Sequence, residues 1–388
     1  MPQSHRTLRV LHVVNDLHLG GAQRMVGSQA VALHHAGFDV RVASLELVAG
    51  GPLADEIEAD GVRVHRLRSP GEPRLLALSR LPSLMRVFGP DLVHTHLAAA
   101  GITGRLLARR AGVGRVVSTL HNLSDWQERR AHPLRLLDRR TLPLADAVVA
   151  VSDVVRSAFV RACPRLAARA VTIRNGVDLA AFARTRTLRG LARPAFGLEA
   201  EDLVVAVVAR LDRRKGLDVL VEALRLAVAR GAPLRLLVAG DGPERASLDS
   251  LARARGVASR IHWLGHQSDV RPCLAAADVL ASPSRTEGLG VAVIEALAAG
   301  VPVLAARVGG LPEVLEGASC GLLLPPDDPA GWAAALVALA ADRGTLARMA
   351  AAAPAHAARF SIEASSHALE RLYDGLLGTA PAARVEAA

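Results

Sequence analysis

Residues 203–218 read Leu203-Val204-Val205-Ala206-Val207-Val208-Ala209-Arg210-Leu211-Asp212-Arg213-Arg214-Lys215-Gly216-Leu217-Asp218. The first six residues are an apolar run rich in β-branched valine, the pattern of a short strand buried on both faces. Beyond Gly216 an amphipathic helical pattern runs from Leu217 to Ala229. The stretch is therefore strand, polar loop, helix, the unit from which parallel sheets are built. Its loop holds the only lysine of the chain: of 47 basic residues among 388, 46 are arginine. Lysine is a compact point charge on a flexible stem, whereas arginine is a broad planar fork. Arg210 and Lys215, five apart across a turn, can converge on one diphosphate, one as a fork and one as a point charge.

The same unit recurs on both sides. Before it, strands are expected at Leu8–Val14, Asp39–Ser44, Val62–Arg66, Leu92–Thr95, Val116–Leu120, Ala147–Val151 and Val171–Ile173. Helices are expected at Ala22–Ala36, Ile102–Ala111 and Leu134–Leu142. After it, strands are expected at Leu234–Ala239, Ile261–Leu264, Val279–Ser282, Val301–Ala305 and Leu322–Leu324. The helices there fall at Glu244–Ala254, Val291–Ala299 and Gly331–Ala341, with a final amphipathic helix at Ile362–Leu377. The fold class is α/β, with two doubly wound parallel-sheet domains in series. Asn175-Gly176-Val177-Asp178 ends a strand, and the next stretch carries Arg184, Arg186, Arg189, Arg193 and Pro194 with weak apolar period. It reads as the linker.

Composition narrows the class. A hydrophobic content of 51% and a mean hydropathy of +0.27 exclude a disordered chain. Aromatic residues make up only 3%, so the cores are aliphatic. Cys163, Cys273 and Cys320 lie far apart without metal or redox spacing, which suits unpaired thiols in a reducing, cytoplasmic setting. The apolar run Val10–Val14 is too short for a signal peptide. Leu289–Ala306 is apolar but contains Glu295, Gly300 and Pro302, so it reads as helix plus strand and not as a membrane span. Residues 1–190 hold 27 basic and 15 acidic residues, a net +12, against −2 for the remainder. A basic first half suits an anionic partner. Nucleic acid is disfavoured because stacking aromatics are scarce there, Trp126 being the obvious one. The basic stretch Glu128–Arg140, with Leu134, Leu136 and Leu137, suits peripheral contact with an anionic membrane at the inner face of the cell.

Ligands of doubly wound sheets sit at the carboxyl ends of the strands, so the loops there are the candidate site. Gly20-Gly21 lets a ligand approach backbone amides at a helix start. Gly288, Leu289 and Gly290 do the same before the helix at Val291. Glu287 lies in that loop, and Glu295, eight residues on, is expected about two helical turns away on the same face. A carboxylate within an apolar helix requires a partner, and it can accept two hydrogen bonds from a vicinal diol. His121 follows a strand and faces the ligand side. Of His94 and His96, one is expected to point inward and one outward. No metal set is apparent.

Together these motifs resemble the retaining glycosyltransferases of family 4. The resemblance rests on Gly20-Gly21-Ala22-Gln23, Arg210…Lys215-Gly216, Gly240-Asp241-Gly242-Pro243-Glu244, Glu287-Gly288-Leu289-Gly290…Glu295, Asn175-Gly176-Val177-Asp178 and Ala277-Asp278…Pro283-Ser284. They run in the family's order across nearly the whole chain. Leu289 stands where Phe is common and Ala209 where Gly is common. The resemblance implies the GT-B fold, two Rossmann-like domains facing a central cleft. Residues 1–182 would bind acceptor and residues 183–360 the nucleotide sugar, with a helix at 361–380 crossing back to the first domain. It implies that Arg210 and Lys215 hold the donor diphosphate, Gly21 approaches it, and Glu287 meets the donor sugar beside Gly288–Gly290. Glu295 would take the ribose, Gly265 and His266 would lie near the base, and His121 near the sugar. The implied activity is metal-independent transfer from a nucleoside-diphosphate sugar, with retention and without a cofactor, to a glycan or lipid-linked hydroxyl. A nucleotide-sugar epimerase or hydrolase on the same fold and a non-catalytic sugar binder are the alternatives.

Overall fold

The computed structural model describes residues 7–18, 20–46, 51–73, 75–123 and 133–378. The chain forms two compact units, Met1–Gly176 with Ile362–Ala388, and Val177–Ser361. Each is built on one parallel sheet.

In the first unit the strands are β1 (Arg9–Val14), β2 (Asp39–Ser44), β3 (Arg63–Arg66), β4 (Leu92–His96), β5 (Arg115–Leu120), β6 (Ala147–Ala150) and β7 (Ala170–Thr172). Their spatial order is β3-β2-β1-β4-β5-β6-β7. Side chains alternate across each strand, and both faces are buried. On one face Val10, Val14, Val40 and Val42 pack with Leu33 and with Leu369 and Tyr373 of the last helix, Ile362–Leu377. On the other, Leu11, Val13 and Val93 pack with Leu81 and Met85 of the helix Leu75–Phe88. The last helix thus completes the core of the first unit.

In the second unit the strands are β8 (Leu203–Val208), β9 (Leu234–Ala239), β10 (Ile261–Gly265), β11 (Val279–Ser282), β12 (Val303–Ala306) and β13 (Gly321–Leu324). Their order is β10-β9-β8-β11-β12-β13. Leu203, Val205 and Val207 pack with Leu220 and Leu224 of the helix Leu217–Val228 and with Trp332 of the helix Pro329–Ala341. Pro302 delays the start of β12: it has no N–H to give, and its carbonyl accepts from Leu280 N.

The expected linker is folded. Leu179–Ala183 and Arg189–Ala195 are short helices of the second unit. Three of the linker's arginines, Arg186, Arg189 and Arg193, grip the entry to β11. Arg186 Nη1 and Arg189 Nη1 donate to Ala277 O at 2.8 and 2.9 Å. Arg189 Nη2 and Arg193 Nη1 reach the buried Asp278 carboxylate at 2.6 and 3.2 Å, which also accepts from Val204 N at 2.8 Å. The apolar period is weak because guanidinium forks, not leucines, make the packing contacts.

Asp278→Ala strands the buried Arg193 and unties β8 from β11. It is expected to lower the stability of the second unit by about 3 kcal/mol, read by urea unfolding, with faster hydrogen exchange at Val204. An unchanged midpoint would show that the cluster is not structural.

Candidate functional site

The order β9-β8-β11 reverses the winding of the second sheet between β8 and β11. The loops after those two strands therefore diverge to opposite sides and leave a crevice at their carboxyl ends. Those loops are 209–216 and 283–290, which carry Arg210, Lys215, Glu287 and Gly288–Gly290.

Backbone contact fixes the two loops against one another. Gly216 caps the helix Leu217–Val228 at φ +65°, and a Cβ there would lie 2.1 Å from Pro283 O. Gly309 (φ +54°), after β12, would put a Cβ 2.0 Å from Glu287 O. Only glycine fits either place. Arg285 N donates to Arg214 O at 2.7 Å, and the Arg285 fork ties Asp218 (2.7 and 2.8 Å), Asp327 (2.7 Å) and Arg213 O (2.8 Å). The sequence gives Arg285 no role, because its partners come from elements distant along the chain. On the far side, Leu211 N donates to Asp241 O and Glu244 N to Leu211 O, so the Gly240–Glu244 motif braces the same loop.

This framework joins Lys215 and Glu287, which are 72 positions apart. Nζ donates to both carboxylate oxygens at 2.8 Å, with the side chains 23% and 16% exposed. Arg210 is exposed, with no ion pair to another described residue. Glu295 is 8% exposed and lies on the helix Val291–Ala298. Glu287 is in the loop, as expected, but it is not two helical turns from Glu295 on one face, because the helix begins only after Gly290 at φ +96°. Leu289 is buried at 2%, so beside Gly288 and Gly290 the loop offers its backbone rather than that side chain. Gly265 takes φ +67° at an irregularity of β10 and accepts from Gly240 N, and His266 beyond it is exposed.

The first unit has the same reversal at β2-β1-β4. Gly20 caps the helix Gly21–His35. Neither glycine is demanded by internal packing. A Cβ on Gly21 meets nothing within 4 Å, and one on Gly20 meets only the flexible Gln23 side chain. The space above this helix start is open to a ligand. Asn15 Oδ1, also after β1, accepts from Ala100 N across the reversal at 2.7 Å.

His121 is only 9% exposed and sits at the end of a buried imidazole cluster. His94 and His96 do not point to opposite sides. Residues two apart on a strand share a face, and both are fully buried. His94 stands opposite His12 of β1. His12 Nδ1 bonds His96 Nε2 at 2.9 Å, and His96 Nδ1 bonds His121 Nε2 at 3.1 Å. His94 bonds Tyr373 Oη at 2.6 Å and Thr119 Oγ1 at 2.7 Å. Nitrogens of His12, His94 and His96 come within 4.8 Å of one another, a grouping seen in metal sites. Here they bond to each other or to hydroxyls, so three lone pairs do not converge. Burial holds all four rings neutral, with His12 and His121 pushed down to about 4. Cys163, Cys273 and Cys320 are free thiols. Among the described residues no helix is long and apolar enough to cross a membrane. The helix Pro133–Thr141 exposes Leu134, Leu136 and Leu137 by 40–48%. Trp126 and Glu128, with the rest of 124–132, lie outside the described residues.

Two family models match the chain: "Glycosyltransferase Family 4" over residues 19–181 and "Glycosyl transferases group 1" over residues 189–356. The D-inositol 3-phosphate glycosyltransferase of Saccharomonospora viridis is 32% identical, covering 91% of this chain and 89% of that protein. The enzyme of that name from Corynebacterium urealyticum is 30% identical over 92% and 91%. Among solved structures, Anabaena HepE in complex with UDP-glucose superposes with a TM-score of 0.82 at 22% identity, covering 95% of this chain and all of that one.

The buried histidines make stability depend on pH. Unfolded histidine titrates near 6.5, whereas in the fold His12 and His121 stay neutral to about 4. Between those values the unfolded chain binds more protons, so stability is full above pH 6.5 and falls on acidification. Each of these histidines is expected to remove about 1.4 kcal/mol between pH 7.5 and 5.5. Urea unfolding at the two pH values checks this; equal stability would overturn it.

Proposed function

The chain belongs to the glycosyltransferases of family 4, with the GT-B fold and a nucleotide-sugar donor, and on that premise we propose that it moves the sugar, with retention and without a metal, onto the hydroxyl of an anionic acceptor. The observation that carries the reading is the Lys215–Glu287 pair at the reversal point of the second sheet. A donor diphosphate offers Lys215 a second anion, and a donor sugar offers Glu287 hydroxyls to accept from. Arg210 adds a fork to the diphosphate. Glu295 takes the ribose diol, and Gly265 and His266 border the base.

Negative charge grows on the diphosphate as the glycosidic bond breaks. Fixed cations stabilise that charge more in the transition state than in the ground state, which is what accelerates transfer. The helix starts at Leu217 and Val291 add their amide dipoles. The departing phosphate takes the proton of the attacking hydroxyl on the same face, so no side chain is needed as covalent nucleophile.

For the acceptor, the relatives named as D-inositol 3-phosphate glycosyltransferases favour a phosphorylated polyol such as D-inositol 3-phosphate, and the +12 charge of residues 1–190 favours an anion of that kind. A UDP-sugar is the favoured donor, as HepE is seen with UDP-glucose. The exposed leucines of Pro133–Thr141, beside Arg135, Arg139 and Arg140, favour a second reading, a lipid-linked or polysaccharide acceptor reached at an anionic membrane.

A nucleotide-release screen over UDP-, GDP- and ADP-sugars, with inositol phosphate, free inositol or vesicle-borne acceptors, discriminates these readings. Nucleotide release without acceptor dependence would indicate a hydrolase, and isomerised donor an epimerase. Equal sedimentation with neutral and anionic vesicles would remove the membrane reading. Lys215→Ala and Glu295→Ala are each expected to lower kcat/KM about 100-fold. Lys215→Arg is expected to lose about tenfold, and transfer should survive EDTA. Normal turnover in either alanine variant would overturn that residue's role.

A further inference from the structure

Three buried rings, His12, His96 and His121, are joined in series by two N···N hydrogen bonds of 2.9 and 3.1 Å. The centroid separations, 5.2 and 5.4 Å, exceed those distances by about one ring width. The bonded nitrogens therefore lie on the lines joining the ring centres, and both bonds are end-on, the geometry of a strong hydrogen bond. His94 packs beside the chain, 4.2 Å from His96 between centroids, but its own nitrogens face Tyr373 and Thr119, so it is not a link.

A neutral imidazole has one donor and one acceptor nitrogen. Three neutral rings carry three N–H groups, and two of these fill the two bonds. One N–H remains, at one end or the other. The ends are His12 Nε2 and His121 Nδ1, both buried and without a partner among the described residues. All three tautomers are thus coupled. Either His121 Nδ1 is a lone pair and His12 Nε2 carries hydrogen, or the reverse. His12 lines no such space, whereas His121 borders a cavity of about 20 Å³, room for one water, beside Ser118, Thr119 and Asn122. An unmatched N–H deep in a core is the rarest of orphan groups, so it belongs at the His121 end.

We propose that His12 and His96 are positioning residues that lock His121 as its Nδ1–H tautomer, so that it presents a hydrogen-bond donor to an oxygen of the bound ligand and does not act as a base. His12 Nδ1–H donates to His96 Nε2, His96 Nδ1–H donates to His121 Nε2, and His121 Nδ1–H is left for the ligand. Such a donor suits a sugar hydroxyl or ring oxygen. Its effect on turnover rests on the glycosyltransferase reading; the tautomer does not.

Long-range ¹H–¹⁵N correlation spectra of the full chain with labelled histidine, assigned with His121→Gln, read the tautomer without any substrate. The wild type is expected to show protonated Nδ1 and acceptor Nε2 at His121. His12→Phe removes the donor to His96 and is expected to mix the two tautomers of His121. With a UDP-sugar donor it is expected to lower kcat about tenfold at nearly constant KM. His12→Asn, which places an amide donor where Nδ1 stood, is expected to restore both. A protonated Nε2 in the wild-type spectrum would overturn the proposal even if His12→Phe fails to fold. So would a His121 spectrum unaltered by His12→Phe, or a Zn²⁺ titration that shifts all three rings together, which would make the cluster a metal site. A locked tautomer with unchanged kcat in His12→Phe would overturn the positioning role and leave the donor assignment standing on Lys215.

Discussion

The reversal of strand order between β8 and β11 is the constraint on which the second unit's site depends. Two neighbouring strands whose chains leave in opposite directions must open a crevice where they part. What closes it to the right width is contact between backbones, with Gly216 against Pro283 and Gly309 against Glu287. A side chain at either glycine would push a loop outward and separate Lys215 from Glu287. Arg285 spans the same loops with four hydrogen bonds. The ion pair is thus held from behind, and its own atoms stay free to meet a ligand.

In the first unit the strands that flank the reversal, β1 and β4, carry buried imidazoles. Four buried histidines would be costly as cations and costly unpaired. The structure meets the first cost by keeping them neutral and most of the second by bonding them to one another and to hydroxyls. Tyr373 comes from the last helix, nearly 280 positions from His94. The helix therefore contributes a polar partner to the sheet's buried face as well as apolar area. The two nitrogens left over lie at opposite ends of one chain, which makes the far end a determinant of the near one.

Strand positions were legible because apolar runs between glycine-rich loops carry a direct signal. β2, β8, β9 and β11 fall where the pattern puts them. The candidate loops were legible because glycine pairs and lone charges stand out against an aliphatic background. Pairings across loops were not legible: nothing in the sequence says that Lys215 meets Glu287, since strand order decides it. The short helices of 179–195 were missed because arginine forks replace an apolar stripe there. His94 and His96 were misread for a different reason. Alternation places residues two apart on one face, and partners from β1, β5 and the last helix, which sequence does not reveal, let both rings be buried there.

The use of 46 arginines and one lysine follows a division of labour. The arginines of the second unit hold several acceptors at once: Arg189 and Arg193 each bind carbonyls and Asp278, and Arg285 binds two loops and a helix start. A planar fork with five donors suits permanent bracing, because moving it breaks many bonds together. A site that exchanges one anion for another needs the opposite. An ammonium on a flexible stem has no fixed donor plane, so it can turn from Glu287 toward a phosphate by rotating single bonds while remaining hydrogen-bonded throughout. The arginines named here brace the fold, and the lone lysine suits the exchange of Glu287 for a donor phosphate that the proposed function requires.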